Sequence, residues 1–172
     1  RSHEVQRQHG QFHSFVVDVD EGGPTLAAVD TAFTAVLGYC ARIIYSTSSA
    51  SAEAPKWRAI VPCLTPISGN QYEQLQRALF ELLQEHGIAC DSAMQGPAQM
   101  AFLPNVPLEM RDSDGRPLFY QSRVVAANML QAPPLELQER AILNAQREAE
   151  ARSEAAAVSE RRAAARVQLR EQ

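Results

Sequence analysis

Two stretches of this chain carry an apolar stripe at helical spacing, and each ends on a glycine. In "TLAAVDTAFTAVLG", Leu26, Val29, Phe33 and Val36–Leu37 share one face, with Thr25 as N-cap and Gly38 as C-terminal stop. In "SGNQYEQLQRALFELLQEHG" the stripe is Tyr72, Leu75, Leu79, Leu82 and Leu83, opened by Ser68 and closed by Gly87. Short runs rich in β-branched and aromatic residues surround them. Gln11 to Val19 precedes the first helix, "ARIIYST" and "KWRAIVPC" lie between the two, and "IACD" with "AQMAFLPN" follows the second. The order βαββαβ admits few topologies. It predicts an α+β fold of RRM-like (ferredoxin-like) type, a palm-type antiparallel sheet packed on two helices. A further strand is expected in "RDSDGRPLFYQSRVV", after the Asp114-Gly115 turn.

From Leu135 onward the chain contains no glycine or proline and is rich in alanine, glutamate and arginine. One long solvated helix is expected, with Glu and Arg often three or four apart. Such a helix bridges to another domain or lies against a partner. A DNA-binding helix is the sharper alternative, and the acids among its arginines weigh against it. The division is therefore a core at 1–130 and a helical extension at 131–172.

At 172 residues, 45% of them hydrophobic and 21% charged, the chain can bury one real core. No run approaches the roughly 18 apolar residues of a membrane span. "RSHEVQRQHGQFHS" has no apolar h-region, so no signal peptide is expected. A start without methionine suggests a piece of a longer protein. Cys40, Cys63 and Cys90 are isolated, without a CxxC pair, and read as buried thiols in a reducing intracellular compartment. The net charge of −4 argues against a protein that coats DNA through a basic field.

The chemistry concentrates in "FVVDVDEGG". In an extended chain Asp18 and Asp20 point the same way while Val17 and Val19 point the other. Two neighbouring carboxylates need a divalent metal, an arginine or water between them. Trp57 and Arg58 enter the third strand beside the first, and the serine-rich connection Ser46 to Pro55 overhangs the sheet end. Asp91 follows the second helix, where the chain returns to the sheet, and is expected to meet the first two acids. Three carboxylates with an arginine and a hydroxyl-rich loop fit a two-metal site for Mg²⁺ or Mn²⁺. Each acid alone also reads as a solvated turn residue, and Arg58 as a surface ion-pair partner. Trp57 and Phe102 read as core rather than base-stacking platforms, and Tyr45 fits either role. His9 and His13 read as surface residues, because nothing completes a zinc set, and His86 as a partner for a helix dipole.

These motifs together resemble the archaeo-eukaryotic primase superfamily, in particular the primase-polymerase domains of phage and plasmid replication proteins. "FVVDVD" matches a strand ending in D-x-D, "IIYSTSSASAEAPKWRAIVPCLTPISG" is similar to the serine-rich hairpin before a W-R strand, and "ACD" matches an apolar residue followed by an acid. "PAQMAFLPNVP" is similar to the segment that ends this unit, and the likeness runs from about Gln8 to Tyr120. The resemblance implies template-directed nucleotidyl transfer in DNA replication, with Asp18, Asp20 and Asp91 holding the metals. Arg58 would contact the phosphates of a nucleoside triphosphate, near Ser49, with Lys56 as a further cation. A single-stranded DNA template with its primer, and a helicase domain or protein, are the implied partners, in a bacterial, phage- or plasmid-derived cytoplasmic setting. Family members carry more chain ahead of the first motif, so a missing N-terminal portion is expected. One departure stands out. Ala50 in "SSAS" falls where the family carries a histidine, and the lost donor is worth about 1.5–3 kcal/mol of phosphate binding. Two other readings follow: a nucleotide- or nucleic-acid-binding module without turnover, and a metal-dependent nuclease.

Overall fold

The computed structural model describes residues 3–97 and 106–170. It is an α+β fold: α1 (His3–His9), β1 (Gln11–Val19), α2 (Leu26–Leu37), β2 (Arg42–Ser46), β3 (Trp57–Ser68), α3 (Gly69–Glu85), β4 (Ser122–Val125) and α4 (Leu135–Arg170). Short 3₁₀ turns cover Ser92–Gln95 and Leu108–Met110. The four strands form one antiparallel sheet in the order β1-β3-β2-β4.

Both capped helices form where the apolar stripes require them. The Thr25 hydroxyl accepts from Ala28 N at 3.2 Å, and Gly38 takes a φ of 76° that an L side chain would resist. Ser68 precedes α3 as expected, but its hydroxyl donates to Gln71 Oε1 rather than capping a backbone N–H. The Tyr72, Leu75, Leu79, Leu82 and Leu83 stripe is buried, as are Phe33 and Val29 of α2. They meet one face of the sheet, built from Phe15, Val17, Val19, Ala59 and Val61. The alternate residues Val16, Ile60 and Ile43 lie in register on the other face, which no described helix covers so fully.

β3 is longer than "KWRAIVPC" suggests and runs through Pro62 and Pro66 to Ser68. Its pairing with β2 stops at Ile60, so the N–H that Pro62 lacks is not needed there. Leu130 continues that edge instead: its N–H donates to Pro62 O and its carbonyl accepts from Leu64 N. "IACD" is a correction. Residues 88–91 form no strand, and one hydrogen bond, Asp91 N to Asp18 O at 2.9 Å, attaches them to the outer edge of β1. "AQMAFLPN", with Phe102, lies outside the described residues. The turn-and-strand reading of 111–125 holds: Gly115 has a φ of 77° and β4 pairs with β2.

A charge cluster centred on buried Asp30 and Arg42 locks α2 to the sheet. Arg42 of β2 donates to Asp30 of α2 at 2.8 Å and to the Thr34 hydroxyl, while Arg123 of β4 reaches the second Asp30 oxygen at 2.6 Å. α4 is one continuous helix, as expected, but it is not solvated throughout. Leu137 and Ala141 sit in the core, and Arg140 and Asn144 pair with Glu81 and Glu85 of α3. No described helix is long and apolar enough to cross a membrane.

Burial also sets the response to alkali. It pushes the Cys63 thiol from 9.0 to about 11 and the Cys90 thiol to about 12. The Tyr72 phenol, stacked 4.2 Å from Phe12, is likewise pushed from 10.0 to about 12. All three are held neutral in the fold, so above about pH 9 the unfolded chain loses protons first. Their contribution is full below pH 9 and is lost as pH rises toward 11–12. The urea midpoint is expected to stay level to about pH 9 and then fall steadily.

Candidate active site

The site is built where β1 ends, β3 begins and the chain leaves α3. Cross-strand register places Asp18 of β1 opposite Arg58 of β3, and Arg58 opposite Tyr45 of β2. These three therefore form one row across the sheet, on the face opposite Val17, Val19 and Trp57. Asp18 is buried, and both of its oxygens accept from the Arg58 guanidinium, through Nε and Nη2. Arg58 also hydrogen-bonds the Tyr45 hydroxyl, and Tyr45 is itself buried. The Asp18 pairing holds the guanidinium more firmly protonated, and burial raises the Tyr45 phenol. Of the three neutralisers open to this carboxylate pair, an arginine occupies Asp18.

Asp20 stands exposed just past the strand end. Its carboxyl is pushed up, first by desolvation; Lys56 and Arg58 oppose the shift, while the negative charges of Asp18 and Asp91 add to it. The fold thus brings five expected site residues, Asp18, Asp20, Asp91, Lys56 and Arg58, into one electrostatic cluster. Asp91 caps the 3₁₀ turn Ser92–Gln95, accepting from Ala93 N at 2.9 Å, while its own N–H donates to Asp18 O.

The connection between β2 and β3 behaves differently. Ser49 is exposed on a turn at 48–49, whereas Ala50 is buried, with its N–H donating to Thr47 O at 3.1 Å. An imidazole at position 50 would have to displace packed neighbours before reaching a phosphate. Ala50→His is therefore expected to cost about 1–3 kcal/mol of stability, measured by urea denaturation.

Hard carboxylate oxygens suit Mg²⁺ or Mn²⁺ in chemistry. Asp18 and Asp91 both add negative potential at the Asp20 carboxyl. Among the described residues no three His, Cys, Asp or Glu side chains already stand close enough to clasp a cation. Asp18 in particular is engaged by Arg58. His9 and His13 are exposed on α1 and β1 and take no part. Trp57 is core, its Nε1 donating to Pro24 O at 2.7 Å.

Two residues near the site carry signals that motif reading passes over. Tyr45 is the phenolic partner of Arg58, visible only once the register of β2 is known. Gln76 is a polar residue inside the apolar stripe of α3, four residues after Tyr72 and three before Leu79, and it is fully buried. The chain matches no family model, no curated protein and no solved structure.

Proposed function

We propose that this chain is the catalytic core of a primase-polymerase, a nucleotidyltransferase that joins a nucleotide to a 3′-hydroxyl on a DNA template and releases pyrophosphate. The observation that carries the reading is the convergence of Asp18, Asp20 and Asp91 with Arg58 and Lys56 at one end of the sheet. Adjacent β1 and β3, with β2 beyond β3, support an RRM-like frame for that site.

In this reading Asp20, Asp91 and Asp18 would hold the Mg²⁺ or Mn²⁺. Bound metal supplies Lewis-acid polarisation of the phosphoryl oxygens. The rest is done by the protein. Lys56 and Arg58 place positive charge where the triphosphate lies, and the Arg58 fork suits its oxygens in pairs. The Tyr45 hydroxyl hydrogen-bonds that fork. Nucleoside triphosphates, a primed single-stranded DNA template and a helicase domain or protein are the partners of such a core.

The test is incorporation of labelled nucleotide into a primed template with Mg²⁺ or Mn²⁺, comparing this chain with Asp20→Asn. Metal-dependent extension that the substitution abolishes supports transfer. Degradation of the strand without added nucleotide would favour a nuclease. A second reading, a binding module without turnover, is favoured by the buried Ala50 and by the engagement of Asp18 with Arg58. It predicts saturable nucleotide binding with no extension.

A further inference from the structure

Gln76 has no exposed surface, although it lies on a core-facing stripe where leucine would satisfy the packing. Its Oε1 has no hydrogen-bond partner among the described residues. A buried amide with an orphaned acceptor works against stability. What it gains is on the other atom. Gln76 Nε2 donates to Val16 O of β1 and lies 3.4 Å from Met94 O.

Those two carbonyls belong to opposite sides of one junction. Val16 and Asp18 are alternate residues of β1, so their carbonyls point to the same side of the strand. Asp18 O is taken by Asp91 N, and Val16 O by Gln76. Met94 lies in the 3₁₀ turn that Asp91 caps. The segment bearing Asp91 is therefore fastened to β1 at one end by its own N–H. At its other end it is fastened through the Gln76 amide. The side chain must be neutral and must donate twice, because both targets are carbonyl oxygens in an apolar setting. Glutamine does this; leucine, glutamate and lysine do not.

We propose that Gln76 is a positioning residue that holds the Asp91 segment on the edge of β1 and so sets how Asp91 faces Asp18 and Asp20. Its role toward a bound cation rests on the proposed function, whereas its role in fastening the segment does not.

The test compares the chain with Gln76→Met, which keeps the volume and removes the donor, and with Leu79→Ala, which weakens the same helix without touching the junction. Hydrogen exchange at the Asp91 amide and Mn²⁺ affinity by calorimetry are the readouts. Gln76→Met is expected to fold with some loss of stability, because Val16 O and Met94 O lose their donor, to exchange the Asp91 amide at least about 10-fold faster, and to bind Mn²⁺ at least about 5-fold more weakly. Leu79→Ala is expected to lose stability and keep the Mn²⁺ affinity. Wild-type exchange at Asp91 in Gln76→Met overturns the assignment, and accelerated exchange with unchanged Mn²⁺ affinity overturns its role toward a cation. Should the unaltered chain bind no Mn²⁺, the reading of the acidic site is lost. Exchange at Asp91 then decides Gln76 alone.

Discussion

Arg58→Leu is expected to destabilise the fold by about 3–5 kcal/mol, because it strands the Asp18 carboxylate without a counter-charge. The Asp18 and Arg58 side chains are only 8% and 12% exposed, and the guanidinium engages both carboxylate oxygens. A buried pair of this kind adds little net stability, since desolvation offsets most of its Coulomb attraction. Losing one partner is costly for the same reason. The double substitution Asp18→Leu with Arg58→Leu is therefore expected to recover most of the loss, to within about 1–2 kcal/mol of the unaltered chain. Urea denaturation of the two single variants and the double variant measures this directly. A cost below about 1 kcal/mol for Arg58→Leu would mean that Asp18 finds another counter-charge or reaches water.

On the proposed function, Asp20→Asn is expected to lower metal-dependent nucleotide incorporation by at least about 1,000-fold, equivalent to about 4 kcal/mol of transition-state stabilisation. The substitution removes one negative charge and keeps the shape. Asp20 is exposed, and none of the ion pairs among the described residues involves it. Stability is therefore expected to stay within about 0.5 kcal/mol. This separation makes Asp20 a cleaner probe than Asp18, whose replacement disturbs the buried pair as well as the site. Equal incorporation by both proteins would remove Asp20 from the chemistry.

The first three strands and the helices α2 and α3 were legible because their signals are local. Thr25, Gly38 and Gly87 mark chain reversals by backbone chemistry, and the apolar stripes repeat every three to four residues. The same kind of signal placed α4, although its docking was hidden. Leu137 and Ala141 are two apolar positions in a charged run, and only the neighbouring Glu81 and Glu85 show where that face goes. "IACD" misled for a physical reason. Its apolar residues are partly or fully buried, as a strand's would be, yet a single hydrogen bond to β1 and the turn capped by Asp91 satisfy its backbone.

At the site, the D-x-D spacing picked out Asp18 and Asp20, and the β1–β3 pairing implied Arg58 as a neighbour of Asp18. Which cation each acid meets depends on register. Opposite Asp18 stands Arg58, while Asp20, one turn of the pleat further on, lies beyond the ladder. The burial of Ala50 was equally invisible, because a run of serine and alanine carries no packing signal. Gln76 could have been noticed as a polar residue on a core face. Its partners, Val16 and Met94, lie 60 and 18 residues away and follow from the fold alone.

In the proposed function the acids at the end of the sheet receive a divalent cation. Titration with Mn²⁺, followed by the loss of its free electron-resonance signal, tests that claim before any turnover is required. Saturable binding by the unaltered chain and at least about 10-fold weaker binding by Asp20→Asn are expected. Equal binding by the two proteins, or none by the unaltered chain at millimolar Mn²⁺, would contradict that claim.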